Sequence, residues 1–534
     1  MIEQSIGAVQ GNGALLSATE LVISQRTDIL RAMWVRRRRH LRTKTRRVAR
    51  GGGQPPAVAG PARPTRRFIS GTALAMMTVG SVGYLGSAPA TSVFGLASVF
   101  LYLLPAFVFL VPVSLVAAEL ASGWQGGVYN WVREGISAPM GLLAVWCEFS
   151  QTIFYYPALL GYVGSTLAYV INQRLASNGV YTAAVIIVLF WGGVLVSSRG
   201  ASLAARLSSS GTVVGTLIPG AILVVLGVIY LIEGNPAAAP MNVHHVLPPW
   251  HGLASVVLVV NSFFTYAGIE VTAVHVDELR NPGREYPRAI FLAMGLVLAV
   301  FIFPTLAIAW VIPSGQISLT AGVMQAFNRF LTHFGLSFAV PVIAIALAVG
   351  AVAGMMAWLD GPSEGLLRIG REQGYLPPYF QKVNHQGIEV RILAAQAVVI
   401  TAIALLYAFI PTISRAYWIF TAMATQVYLI MYVLMFIAAV RLRRTQPDHP
   451  RGYSTQRLGL LCLLGGASSI TVFVIGFVPP SQLGHQSPLL YALLILVGIL
   501  AIGIVPPLLM DRLRKPGWKA DPAGQPPQAP SSAA

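Results

Sequence analysis

Between residues 68 and 510 the chain alternates long apolar stretches with short polar ones, and within each stretch the apolar residues are continuous. Continuous runs of about 20 apolar residues predict membrane-spanning helices, whereas barrel strands would show a two-residue alternation. Twelve runs are long enough: 68–89, 95–119, 141–171, 181–197, 207–232, 252–276, 287–312, 337–360, 391–410, 412–440, 459–478 and 488–510. The pattern predicts an all-α polytopic membrane protein with about twelve transmembrane helices.

Two of these runs are interrupted. Span 1 contains Val79-Gly80-Ser81-Val82-Gly83-Tyr84-Leu85-Gly86, and span 6 contains Thr265-Tyr266-Ala267-Gly268-Ile269-Glu270. The interruptions occupy equivalent places if spans 1–5 and 6–10 are two halves. Five is odd, so the halves thread the membrane in opposite directions, and spans 11 and 12 are two extra helices. Paired interrupted helices in inverted halves predict a transporter with a central site near mid-depth. Irregular backbone is tolerated there only away from lipid, and its exposed N–H and C=O groups can hold a substrate's carboxylate and ammonium. The plainer alternative is that the small residues merely let helices pack closely.

Composition narrows the class. The chain of 534 residues is 55% hydrophobic and 10% charged, against about 25% charged in soluble domains. A soluble enzyme, a disordered chain and a fibrous repeat are excluded. Cys147 and Cys462 both lie in apolar runs and offer neither a disulfide framework nor a metal pair. His244-His245 falls in an outer loop, and the sequence contains no HExxH and no Walker A motif. The chain is therefore expected to be no enzyme, with no metal and no cofactor.

The net charge of +18 is unevenly placed: residues 1–67 hold 14 Lys/Arg against Glu3, Glu20 and Asp28. Basic residues beside apolar spans mark the cytoplasmic face and attract anionic lipid, so nucleic acid is not an expected partner. Residues 1–67, with Arg36-Arg37-Arg38-Arg39 and a Gly/Pro/Ala stretch from Gly51 to Pro64, read as a disordered cytoplasmic tail, a misassigned start codon being the alternative. Thr65-Arg66-Arg67-Phe68 mimics a twin-arginine export signal, but eleven further apolar runs follow it. With both termini cytoplasmic, 33 Lys/Arg fall on the inner side and only Arg174, Arg329 and Arg415 on the outer. That asymmetry predicts a multi-pass cell (inner) membrane protein. The expected organisation is a tail at 1–67, a transporter domain at 68–510 and a short disordered tail at 511–534. Within the domain, 68–232 and 252–440 are the two inverted repeats and 459–510 holds helices 11 and 12.

Several segments resemble the amino acid–polyamine–organocation (APC) superfamily of permeases. Ala117-Ala118-Glu119-Leu120, followed by Trp124-Gln125-Gly126-Gly127-Val128-Tyr129-Asn130-Trp131-Val132, is similar to the acid at the end of helix 2 and the Gly-Gly-aromatic loop after it. Tyr266-Ala267-Gly268-Ile269-Glu270, continuing through His275 to Ala289 with Asn281-Pro282 and Pro287, resembles the Gly-x-Glu break of helix 6 and its following loop. Asp360-Gly361-Pro362-Ser363-Glu364-Gly365 and Gly374-Tyr375-Leu376-Pro377-Pro378 are similar to the end of helix 8 and the loop beyond. His275-Val276-x-Glu278 looks most like the bacterial glutamate:GABA antiporter branch. Glu364, Glu148 and the short Pro/Ala-rich end after Met510 depart from that branch's pattern. The resemblance implies a LeuT-like twelve-helix fold with a 5+5 inverted repeat, alternating access and an amino acid substrate. It points to glutamate:GABA-type exchange; the alternative is a proton- or cation-coupled amino acid or polyamine permease of the same fold. It leaves the oligomeric state open.

Acids inside spans are costly and therefore functional candidates. Glu119 and Asp360, near cytoplasmic helix ends, are expected to cap or gate by pairing with loop arginines. Glu148, in span 3, is either hydrogen-bonded across helices or a proton carrier. Glu270, at the second interruption, is expected to contact substrate or carry a coupled proton. Asp277 follows seven residues later, which on an α-helix places it on the same face two turns on, while the alternative for Asp277 is a solvated loop network. Gly80, Ser81 and Gly83 are the expected N–H donors to a carboxylate; carbonyls around Phe264, Thr265 and Tyr266, beside Gly268, are the expected acceptors for an ammonium. Phe263, Phe264 or Tyr266 could close over the ligand, with Tyr155, Tyr156 and Trp418 as weaker candidates. Carboxylates without lysine or arginine in the spans favour zwitterions and cationic amines over a fully anionic ligand.

Overall fold

A computed structural model describes residues 69–82, 84–200, 210–211, 213–410, 412–484 and 487–520. The expected tail at 1–67, Gly83, Arg206 and the end of the chain from 521 lie outside the described residues. Among those described, ten helices are long and apolar enough to cross a membrane, and two further helices are broken. Together they account for the twelve runs read from the sequence.

The same series of elements occurs twice. The first begins with α1 (Gly71–Val82), an extended Tyr84, a 3-10 turn Leu85–Ser87 and the short α2 (Ala88–Ser92). A span follows, α3 (Ala97–Gly123), then a short amphipathic helix, α4 (Gly127–Gly135), then α5 (Ala138–Ile171), α6 (Gly179–Ser197) and α7 (Val213–Ile232). The second begins with α8 (Val259–Tyr266) and a 3-10 helix Ile269–Glu278. It continues with α9 (Pro282–Val311), the short α10 (Gly322–His333), α11 (Val340–Gln373), α12 (Val390–Ala408) and α13 (Ile413–Thr445). Helices α14 (Leu458–Ile475) and α15 (Pro488–Leu513) complete the chain.

Local chemistry sets many of the ends. Pro139 opens α5 in its first turn, where the missing N–H costs nothing. Asn178 caps α6 by accepting from the Tyr181 N–H at 2.9 Å. Gly374 closes α11 at φ +75°, a left-handed position that suits glycine. The short helices α4 and α10 were not foreseen from the apolar runs. Each has one apolar face, α4 burying Val128, Tyr129, Trp131 and Val132, and neither is long enough to cross.

The two 34-residue helices, α5 and α11, pack against each other, and α5 also packs along α13. These three form the centre. Helices α14 and α15 lie outside and expose Leu463, Val474, Leu489 and Leu490, as a lipid-facing surface requires. The two broken elements touch. The Thr78 hydroxyl of α1 lies 3.2 Å from that of Thr272, the Ile69 N–H donates to the Glu278 carbonyl at 3.0 Å, and Asn261 Nδ2 donates to the Ser87 carbonyl at 3.0 Å.

Candidate functional site: a cavity between two broken helices

The second break turns on Gly268. Helix α8 ends at Tyr266, Ala267 is extended (φ −67°, ψ 142°) and Gly268 adopts φ +95°. A Cβ on Gly268 would lie 2.2 Å from the Trp358 ring, so glycine answers both the backbone angle and the close approach. The first break follows Val82, later than the glycine pattern suggests. Gly80 and Ser81 lie within α1, where helical N–H groups are engaged with carbonyls one turn back. They are therefore not the free donors expected at the break; unpaired groups at that end of a helix are carbonyls. Of their side chains, and of Gly83, nothing is described.

A cavity of about 50 Å³ lies between the breaks, walled by α5, α8, α11 and α13. Its aromatic wall comprises Tyr84, Tyr155, Phe264, Trp358, Tyr417 and Tyr428, its polar wall Ser87, Gln151, Asn261, Thr265 and Thr421, and Ala158, Leu159 and Ala267 complete it. Among the described residues no charged side chain lines it. Most polar groups are committed to the scaffold. Tyr417 donates to the Gly86 carbonyl at 3.2 Å, Thr265 to the Asn261 carbonyl at 2.7 Å, and Asn261 to Ser87. These bonds fix the first break against α8 and α13.

Of the residues expected to line the site, Phe264 and Thr265 do so, and Tyr155 joins them. Tyr266 does not: it is fully buried, and its hydroxyl donates to the Tyr102 carbonyl at 3.0 Å. Phe263 packs on Phe109, Tyr156 on Phe190, and Trp418 donates to the Tyr491 hydroxyl at 2.9 Å. The Gly268 N–H is taken by the Tyr432 hydroxyl at 2.8 Å. Gln151, Asn261, Trp358, Tyr417, Thr421 and Tyr428 were not anticipated. The only available signal was a polar or aromatic residue inside an apolar run.

Glu270 sits behind the cavity wall, 2% exposed. Its Oε1 accepts from Tyr428 at 2.5 Å and its Oε2 from Tyr432 at 2.6 Å. Tyr428 therefore separates the carboxyl from the cavity and connects it to the cavity at once. Glu148, on α5, interacts electrostatically with both Glu270 and Tyr428. The cross-helix hydrogen bond considered for it is absent among the described residues. The segment after Gly268 is a 3-10 helix, with three residues per turn in place of 3.6. Seven residues then turn about 120° past two full turns, so Glu270 and Asp277 do not share a face. The Asp277 side chain itself is not described.

The remaining acids considered do not line the cavity. Glu119, 2% exposed, is clamped by Arg443 Nε at 2.7 Å, Arg451 Nη1 at 3.0 Å and the Thr455 N–H at 2.8 Å. Arg451 also lies over Trp124, which stacks on His449 at 4.5 Å. Asp360, expected to meet an arginine, accepts instead from the Ser197 hydroxyl of α6, and among the described residues no arginine pairs with it. One residue toward the loop from α12, Glu389 is 3% exposed and bonds Ser363 at 2.5 Å. Burial pushes the Glu389 carboxyl up to about 7, against the hydrogen bond from Ser363 and with the nearby charge of Asp360 adding to the rise.

Comparison with known proteins agrees with this architecture. The amino acid permease family model matches residues 69–500. An uncharacterised transporter of Legionella pneumophila is 31% identical over 448 residues, covering 83% of this chain and 96% of the relative. A glutamate/γ-aminobutyrate antiporter of Lactococcus lactis is 29% identical over 423 residues, covering 76% of this chain and 83% of the relative. A probable agmatine/putrescine antiporter of the same species is 23% identical, covering 71% of this chain and 80% of the relative. These relatives are named as transporters, not enzymes. Broken helices that meet at a walled cavity, ten described helices long and apolar enough to cross a membrane and a family match over most of the length lead to one conclusion: the chain belongs to the amino acid permease family of the APC superfamily and is a multi-pass membrane transporter of amino acids.

Proposed function

We propose that this transporter exchanges one amino acid for another by alternating access around the cavity between the broken helices, as its glutamate/γ-aminobutyrate antiporter relatives are named for doing. The observation that carries the reading is the meeting of both breaks, through Asn261 and Ser87, at a cavity walled by α5, α8, α11 and α13. In this reading residues 68–232 and 252–440 are the two inverted repeats, 459–510 adds two helices, both termini are cytoplasmic, and the host is the cell (inner) membrane. Phe264 and Thr265 form the substrate's wall, with the irregular main chain at the breaks holding the amino and carboxyl groups. Glu270 and Glu148 are the candidates for a proton that accompanies or gates exchange. With no cation among the described residues of the wall, a zwitterion or an amine is bound at lower cost than a ligand with a second carboxylate.

Counterflow in proteoliposomes loaded with single amino acids tests this. Saturable uptake that depends on internal substrate is the expected result; no uptake with any of the panel defeats it. The two acids beside the cavity favour one second reading, a proton- or cation-coupled permease. Uptake into substrate-free vesicles driven by an imposed gradient distinguishes it from exchange.

A further inference from the structure

Gln151 lies on the cavity face of α5, one turn before Tyr155 and two before Ala158. It is 2% exposed, and its Oε1 has no hydrogen-bond partner among the described residues. The Tyr84 hydroxyl, at the first break, is likewise sealed and unpartnered. Both residues line the same cavity. Buried polar groups are almost always paired, and leaving one unpaired is costly. Around them, Asn261, Thr265 and Tyr417 all have partners within the protein. Two residues of the cavity wall therefore carry unmet polar atoms, one at the irregular main chain and one on a regular helix.

We propose that Gln151 is a specificity-determining residue: its side-chain carbonyl accepts a hydrogen bond from an N–H group at the distal end of the substrate, whose amino acid head lies at the breaks. The inference rests on reading this cavity as the substrate seat. The chemistry is selective because an analogue that lacks the distal donor must leave a buried acceptor unpaired, whereas an extra apolar group in a hydrophobic pocket discriminates weakly. The substrate class is an amino acid with a terminal amide or amine, and the rejected class is its straight-chain hydrocarbon counterpart. The aromatic wall accepts the apolar chain of either, so discrimination falls to Gln151.

Counterflow with glutamine and with norleucine, of similar length, reads this out. The native protein is expected to prefer glutamine by roughly tenfold or more, and Gln151→Met, similar in shape, to bring the ratio near one. Ligand-induced thermal stabilisation of purified protein by the same two compounds gives the ratio without transport, and Gln151→Asn, which keeps the amide, is expected to retain part of the preference by both measures. A native protein without preference, or a Gln151→Met variant that keeps it in either measurement, overturns the proposal. Counterflow by no amino acid in the native protein overturns the exchange reading itself, a result distinct from exchange without selectivity.

Discussion

Tyr428 donates to Glu270 at 2.5 Å while its own ring forms part of the cavity wall. The carboxyl is thus linked to the cavity through a tyrosine, and a change at Glu270 reaches a ligand by moving that ring. Tyr432 holds the other carboxyl oxygen and the Gly268 N–H, so one carboxyl ties the second break to α13. Tyr428→Phe removes one of the two side-chain donors and leaves a buried oxygen short of a partner, a penalty of about 1–3 kcal/mol. We expect exchange to slow roughly tenfold with normal membrane insertion, and Glu270→Gln to slow it further and flatten its dependence on pH. Counterflow rates between pH 5 and 8 check both. Unchanged rates across that range in Glu270→Gln would remove the carboxyl from the mechanism.

The clamp on Glu119 is a stability element. Arg443, Arg451 and the Thr455 N–H all converge on a carboxylate that is 2% exposed, tying α3 to the end of α13 and the loop before α14. Removing one member of a buried ion pair costs roughly 3–5 kcal/mol because the opposite charges remain. Glu119→Gln should therefore lower the melting temperature of the purified protein by several degrees, and Arg443→Gln by a similar amount. A melting curve identical to the native protein's would show that loop arginines find equivalent partners in water.

The twelve spans were legible because lipid demands continuous apolar runs, and the second break was legible because Gly268 and Glu270 disrupt one. Glu119 was readable as an acid beside basic loops, and three of its partners lie in or next to those loops. Much less could be read of the cavity wall. Helix α5 is apolar nearly all round, so its sequence carries no periodicity that says which way Gln151 or Tyr155 points. The same holds for Trp358 on α11 and Tyr428 on α13, whose facing is decided by helix rotation against neighbours far away in sequence. The relation between Glu270 and Asp277 failed for a different reason: the apolar pattern cannot tell a 3-10 helix from an α-helix, and the two diverge within a turn or two.

Gly268 gives the sharpest test of the break itself. Alanine there would have to hold φ near +95° with its Cβ 2.2 Å from Trp358. Backbone strain of this kind costs on the order of 1–3 kcal/mol before any clash is counted. Gly268→Ala should reduce exchange by more than tenfold and displace Trp358 from the cavity wall, read as a shift in intrinsic tryptophan fluorescence. Adding Trp358→Ala relieves the clash but not the strain, so the double variant should recover thermal stability in part and exchange hardly at all. Full exchange in Gly268→Ala would mean that the break is not where the substrate binds.

Glu389 links folding to pH at the N-terminus of α12. Its carboxyl stands at about 7, against an ordinary value of 4.5, chiefly because it is buried. The folded protein therefore holds a proton there that the unfolded chain has already released. Below pH 4.5 both states carry it and its stabilising contribution is complete; as pH rises through about 7 the folded state loses it, and stability falls by roughly 3 kcal/mol across that window. Glutamine keeps an acceptor for the Ser363 hydroxyl at every pH and carries no titrating group. Thermal unfolding in detergent between pH 5 and 8 should show the native melting temperature falling toward the alkaline end, and Glu389→Gln should reduce that slope. Parallel profiles for the two proteins would mean that Glu389 is already ionised in the folded state, held so by the Ser363 hydroxyl and the N-terminus of α12.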